Sequence, residues 1–460
     1  MPGRTRRVRT RVELFVGKGG VGKTTLACAQ AMGYAREGQR VLVASLDQAH
    51  SLGDALGFRF AHDPGAVPGI IRVVPGLDVI ELDSLALLED RFREIADVLA
   101  ADPGHDHGLD LGALDPAELT GLPGVQELLM LVEITQYAAD DDWDVIVLDC
   151  PPTADMLRIL TAPDTLLGYL DRIWPPHQRM MSAIGTDLRR AVLAATMQRI
   201  VAAVTEVRDL LADPERTSAR LITLAERVAV AESARVRSAT ALLGLRLQAV
   251  VVNKVLPEVP PPGPEPQHPA VRWYSHRYAE QWDVIAGLRR SMPEIPVLVA
   301  GHTGAEPVGI GPLAGLSCVV PARYSGDLVL AGGTGDRAPA GGTGAVSDTG
   351  HAGAVRRDSN AAMRDDAGSA AAGQAAAPAV RLESGTGLHS VYALRIQLPV
   401  ADPATLRLGR VEDDLIVGAD GVRRRLRLAP VLRRCTVSTA ELDNGYLVVR
   451  FRPDPQEWPR

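Results

Sequence analysis

Val12-Glu13-Leu14-Phe15-Val16-Gly17-Lys18-Gly19-Gly20-Val21-Gly22-Lys23-Thr24-Thr25 is the stretch that decides the fold. Residues 12–17 are an apolar run of strand length ending in glycine, and from Thr24 a helical pattern begins that Gly38 can terminate. Between them, residues 17–24 match G-x-x-x-x-G-K-[ST] at every fixed position. Glycines let successive backbone N–H groups curl around a polyphosphate, and the positive end of the following helix adds to the attraction. In that geometry Lys23 reaches the β- and γ-phosphates and the Thr24 hydroxyl ligates Mg²⁺. The backbone of Gly17, Gly19, Gly20, Val21, Gly22 and Thr25 completes the cradle. A glycine-rich turn of purely structural use leaves Lys23-Thr24 unexplained, so ATP with Mg²⁺ is the expected ligand.

Outward from this loop, residues 11–330 alternate short β-branched runs with longer helical patterns, the signature of a parallel α/β sheet covered on both faces. Strands are expected over 12–17, 40–47, 77–83, 143–149, 219–225, 247–255 and 295–300. The fold class is therefore α/β, a P-loop NTPase with a mostly parallel sheet. A long helical insertion is expected over about 165–212, where Met197, Ile200, Val201, Val204, Val207 and Leu211 recur at helical spacing. From 331 to 386 the chain collapses into Ala, Gly, Ser, Thr and Asp, too poor in apolar bulk to offset the entropy of ordering, and reads as a disordered linker. Residues 387–460 carry short strands with turn signals such as Asn444-Gly445 and read as a small all-β sandwich. Domains are thus expected as a basic tail (1–11), an ATPase domain (12–330), a linker and a β module.

Bulk properties fit this organisation. The chain has 460 residues, 23% charged and 46% apolar, too many for one ordinary core. A net charge of −7 gives no global reason to bind nucleic acid. The basic start Met1-Pro2-Gly3-Arg4-Thr5-Arg6-Arg7 is not followed by a signal-peptide core, and no run of about 18 apolar residues exists. Cys28, Cys150, Cys318 and Cys435 are dispersed and form no CxxC pair, so neither zinc nor an iron–sulfur cluster is expected. A cytoplasmic protein is the expectation.

Two acids lie at strand ends beside the loop. Asp149 closes the run WDVIVLD and begins Asp149-Cys150-Pro151-Pro152-Thr153, the arrangement in which an aspartate holds Mg²⁺ through water. Asp47, at the end of RVLVASLD, is the candidate for positioning the attacking water. Each alone could be a helix cap.

KGGVGKTT (18–25), D-x-A-H-S-L-x-D (47–54), Leu122-Pro123-Gly124-Val125-Gln126-Glu127 and D-x-P-P-T-x-x-x-L-R (149–158) together resemble the ArsA family of ATPases. That family contains arsenite-pump ATPases and the ATPase that delivers tail-anchored membrane proteins. The resemblance covers about 12–320 and continues in Asp213-Pro214-Glu215-Arg216-Thr217, Val252-Asn253-Lys254 and Glu306-Pro307-Val308-Gly309. It implies a deviant Walker A loop in which Lys18 crosses to the nucleotide of a second subunit, hence a homodimer. It also implies that Asn253 hydrogen-bonds the adenine, and that ATP drives capture and release of a client, such as an apolar protein segment, with a peripheral membrane partner. Trp174, Met180, Met181 and Met197 are the candidate client contacts. The β module resembles the α-crystallin-type domain appended to some bacterial members; its Arg423-Arg424-Arg425 run reads as a solvated edge.

The sequence departs from the family pattern in both switches, with Gln48 and Ser51 in the first and Cys150, Pro151, Ala154, Asp155 and Met156 in the second. No cysteine trio matches the arsenite site. Two alternatives share the loop: a ParA- or MinD-like positioning ATPase on DNA or membrane, and a nucleotide-gated binding module with little turnover. Against the first, the C-terminus is β-patterned rather than an amphipathic helix.

Overall fold

A computed structural model describes residues 9–47, 51–60, 69–89, 125–175, 188–258, 268–316, 318–319, 378–398 and 403–458. A nine-stranded sheet in the order β3-β4-β2-β5-β1-β6-β7-β8-β9 organises the N-terminal part. Its strands are β1 (Arg11–Gly17), β2 (Val41–Ser45), β3 (Ile71–Val74), β4 (Leu77–Glu81), β5 (Val145–Asp149), β6 (Thr217–Leu224), β7 (Arg246–Val255), β8 (Val297–Gly301) and β9 (Cys318–Val319). The pairings are parallel except at the two edges, where β3 and β9 run antiparallel to their neighbours. All seven expected strands form. The short edge strands β3 and β9 lie outside that expectation, because four half-exposed residues and two residues give too little pattern.

Continuous apolar runs follow from a sheet buried on both faces. Along β1, Leu14 and Val16 enter one core cluster and Phe15 the other. Along β5, Ile146 and Leu148 join the first, while Val145 and Val147 join the second. This is the two-residue alternation of a strand. The helices that cover the sheet are α1 (Lys23–Arg36), α2 (Ser51–Leu56), α3 (Val125–Ala139), α4 (Thr153–Ile173), α5 (Leu188–Ala212), α6 (Arg227–Leu243), α7 (Pro269–Ser291) and α8 (Ile310–Gly315). On α5 the expected apolar stripe packs on the core: Val204 and Val207 are buried, and Ile200 and Leu211 pack against them. Thr10 is buried and donates to the carbonyl of Trp143 at 2.7 Å, so ordered structure begins inside the stretch read as a basic tail.

A buried ion pair sits inside the sheet. The Glu13 carboxylate lies 3.2 Å from Arg220 Nε and accepts a hydrogen bond from the Tyr34 hydroxyl at 2.8 Å; Arg220 Nη2 donates to the same hydroxyl at 2.9 Å. This triad ties β1, α1 and β6 together. Each member satisfies the next, as burial of charge requires.

The C-terminal part is all-β. A four-stranded sheet, β10-β11-β16-β15, and a three-stranded sheet, β12-β13-β14, share one core that includes Leu394, Val417 and Phe451. Its strands are β10 (Ala379–Ser384), β11 (Val391–Gln397), β12 (Arg407–Val411), β13 (Asp414–Ala419), β14 (Val422–Arg427), β15 (Cys435–Asp443) and β16 (Tyr446–Pro453), with the short helix α9 (Pro430–Arg433) before β15. β10 corrects the linker boundary. Residues 379–384, expected to be disordered, pair with β11, because Val380 and Leu382 alternate with polar residues behind an Ala-rich flank that hides them. The rest of the expected linker, 331–377, lies outside the described residues.

The Arg423-Arg424-Arg425 edge is a second correction. Arg423 is exposed, but Arg424 Nη1 donates to the carbonyl of Leu242 at 2.7 Å, at the C-terminus of α6. Ala239 and Leu242 of that helix belong to the core of the β module. Gly244 caps α6 with φ 79°, a left-handed conformation, and the Arg424 guanidinium lies 3.1 Å from where a β-carbon there would sit. A basic group at a helix C-terminus meets the negative end of its dipole. Burial lowers the Arg424 pKa and raises that of Asp164, and the charge of each partly offsets the shift of the other.

Candidate functional site

The phosphate loop runs from the end of β1 into α1 and is held open by backbone constraints. Gly20 and Gly22 are left-handed, at φ 78° and 91°. A β-carbon on Gly17 would lie 2.2 Å from the carbonyl oxygen of Ile222 on β6, and one on Gly22 would lie 2.4 Å from Asn253 Nδ2. Only glycine fits where the loop must pass so close to the neighbouring strands. Beside it opens a cavity of about 700 Å³, lined by Gly19, Gly20, Gly22, Lys23, Thr24, Thr25, Asp47 and Asn253 on the loop side and by His302–Val308 opposite.

Thr24 and Asp149 meet at the foot of this cavity. Thr24 Oγ1 donates to Asp149 Oδ2 at 2.6 Å and lies 3.1 Å from Ser51 Oγ. Asp149 is fully buried, and its Oδ1 is shielded from solvent and has no hydrogen-bond partner among the described residues. Burial raises the Asp149 pKa to about 7, the negative charge of Asp47 adds to the rise, and the Thr24 hydrogen bond and Lys23 oppose it. A buried, unpartnered carboxylate oxygen beside a threonine hydroxyl fits a divalent cation, which would supply the missing positive charge.

The other expected residues are placed as follows. Lys23 is buried, with Nζ donating to the Lys18 carbonyl at 3.3 Å. Lys18 is half exposed and its Nζ pairs with Glu232 on α6 at 3.3 Å. Asp47 follows β2 at the cavity wall, and its backbone N–H donates to Ser45 Oγ at 3.2 Å. Gln48, Ala49 and His50 lie outside the described residues, as do Leu122–Gly124, Met180 and Met181. Asn253, the residue expected to meet the adenine, lines the cavity and braces the loop. Its Nδ2 donates to the Val21 carbonyl at 2.8 Å, and its Oδ1 accepts from the N–H of Lys254, itself left-handed at φ 55°. Ser51, Glu232 and Glu81, which accepts from the Gly53 N–H at 3.0 Å, are site neighbours that sequence reasoning did not single out. Ser51 stood inside a quoted motif; Glu232 gave no local signal.

Cys28 and Cys150 are fully buried near Asp149. Burial first, and that carboxylate second, push both thiols well above their ordinary range. Such thiols are packed groups rather than thiolate ligands. Among the described residues, no helix is long and apolar enough to cross a membrane.

A parallel sheet with this loop, this lysine and this threonine–aspartate pair defines a P-loop ATPase. The family model described as the anion-transporting ATPase, ArsA, matches residues 10–298, and the HSP20-like domain found in ArsA matches residues 389–451. The chain belongs to the ArsA ATPase family. It is 42% identical to Protein Rv2184c of Mycobacterium tuberculosis over 98% of both chains, and 32% identical to protein SCO2128 of Streptomyces coelicolor over 98% of this chain and 99% of that one. It is 30% identical to the ATPase GET3 of Candida glabrata, over 53% of this chain and 72% of GET3.

Proposed function

We propose that this chain is a homodimeric, Mg²⁺-dependent ATPase whose turnover alternates capture and release of a client. The observation that carries the reading is the buried Thr24–Asp149 pair with its unpartnered carboxylate oxygen at the foot of the phosphate loop. Backbone N–H groups of residues 17–25 cradle the phosphates, and Lys23 leaves the Lys18 carbonyl to meet the β- and γ-oxygens. Thr24 and Asp149 would hold Mg²⁺ beside the phosphates. The ion, when bound, offsets charge on the β- and γ-phosphates.

Asp47 orients the water that attacks the γ-phosphorus as the bond to the ADP oxygen breaks. Lys18 is half exposed and turned to Glu232 rather than inward, which suits a residue that serves a second copy of the chain. There it neutralises charge on the phosphoryl group in transfer. Asn253 sets the loop against β7, and the base lies along the 302–308 wall. Two domains and a linker carry these roles, the ATPase domain extending from about residue 10 and the β module from about 379. The client reading draws on GET3-like relatives; Met197 on α5 is half exposed and offers one contact.

The test compares ATP turnover of the intact chain with Asp47→Asn and Lys18→Ala, alongside ATP binding and mass by light scattering. Loss of turnover of about 10²-fold in Asp47→Asn with ATP binding retained is expected. Equal turnover in Asp47→Asn, or a monomer in Mg·ATP whose rate ignores Lys18→Ala, refutes the assignments. Photo-crosslinking from position 197 with and without ATP tests client capture, and no adduct in either state sinks it.

A further inference from the structure

Arg237 is a half-buried cation set in a cavity that the two parts of the chain build together. Its Nη1 donates to the carbonyl of Ser291 at 3.3 Å, while its Nε is shielded from solvent and donates to nothing among the described residues. Among the described residues no carboxylate pairs with it. Burial lowers its pKa, and no nearby acid works against that shift. Among the described residues, Arg246 Nε is likewise shielded without a partner, whereas Arg220 is met by Glu13, and Arg424 by the Leu242 carbonyl and the charge of Asp164.

The cavity measures about 350 Å³ and lies between the C-terminal half of α6, the turn after α7 and the β15–β16 hairpin. Leu245, Leu247 and Met292 give it an apolar wall, all three buried in the ATPase core. Asn444 and Tyr446 face it from the hairpin, whose turn residues Asn444 and Gly445 are both left-handed, at φ 47° and 79°. Glu294 stands exposed on its lining. None of these residues lines the phosphate-loop cavity, so the two sites are separate.

A buried donor on a charged group is costly to leave unmade, and native buried charges are paired. The guanidinium also lines the cavity with its exposed Nη end, and a guanidinium that no carboxylate pairs with can receive an oxyanion there. The volume falls in the range of small-molecule sites, which combine an apolar lining with a few fixed polar groups. We propose that this interdomain cleft binds a small organic anion, its carboxylate or phosphate head on Arg237 and a short apolar body against Leu245, Leu247 and Met292.

Titration calorimetry of the intact chain with octanoate, octyl phosphate and neutral octanol tests this, on the wild type, Arg237→Met and Arg237→Lys. Saturable binding of at least one anion is expected, weakened about tenfold in Arg237→Met and less in Arg237→Lys, with octanol at least about tenfold weaker than the anion. Which anion binds tells carboxylate from phosphate recognition. ATP turnover, which does not use Arg237, reports that each variant is folded. Octanol binding as tightly as both anions, Arg237→Met binding as well as wild type, or no saturation by about 10 mM of either anion overturns the proposal.

Discussion

Replacing Asp149 with asparagine is expected to raise the stability of the nucleotide-free protein above neutral pH while abolishing its response to Mg·ATP. The Asp149 carboxyl titrates at about 7 in the fold and at an ordinary 3.8 when unfolded. Between those values the folded state binds more protons than the unfolded one, so stability falls as pH rises through the window and levels off above it. Three pKa units correspond to about 4 kcal/mol at the plateau. Asparagine can still accept the 2.6 Å hydrogen bond from Thr24, but its amide nitrogen then occupies the position of the unpartnered oxygen, at a pH-independent cost of about 1–2 kcal/mol. The net gain at about pH 8 is therefore about 2 kcal/mol.

The sharper quantity is the change in the gap with pH, from which the constant cost cancels. About half of the charge effect is present at about pH 5.5, so the asparagine variant should gain a further ~2 kcal/mol, or ~3 °C in melting temperature, between there and about pH 8. Thermal unfolding in EDTA at both pH values measures it, and a parallel titration with Mg·ATP should stabilise only the wild type. A gap that stays constant or narrows with rising pH would refute the claim that Asp149 is held as a strained, unpartnered acid awaiting a cation.

Gly17→Ala places a methyl group 2.2 Å from the Ile222 carbonyl oxygen and should cost several kcal/mol, about 3 or more, read as a lower melting temperature with loss of ATP binding. Glu13→Gln removes the charge facing buried Arg220, and a loss of about 3–5 kcal/mol in chemical denaturation is expected; a loss below about 1 kcal/mol would show that the triad is dispensable. Arg424→Glu sets a like charge beside Asp164 and against the carbonyl end of α6, so the β module should detach, seen as an increased radius of gyration by solution scattering with ATP binding intact.

The sheet was legible because each central strand is a β-branched run buried on both faces, and such runs stand out in sequence. The phosphate loop was legible because its glycines are imposed by backbone approach and its lysine and threonine by chemistry. What escaped notice depends on contacts distant in sequence. Glu13, Tyr34 and Arg220 are separated by up to 207 positions, and a glutamate in a strand looks local until its partner on β6 is known. Arg424 read as solvated because alternation along β14 says which face a residue occupies, not what packs on that face. Asn253 was placed near the loop by its motif, but its brace on the Val21 carbonyl depends on a distance that only folding sets.

Helix α6 has one end at the phosphate loop and the other at the β module. Glu232, on its second turn, holds Lys18, and the carbonyl of Leu242, ten residues on, receives Arg424. An α-helix rises about 1.5 Å per residue, so these two grips are about 15 Å apart on a single stiff strut. Such a strut neither stretches nor shears across three turns. The orientation of the appended β module and the resting position of Lys18 are therefore not independent coordinates: either grip can be displaced only by breaking its contact or by carrying the other along.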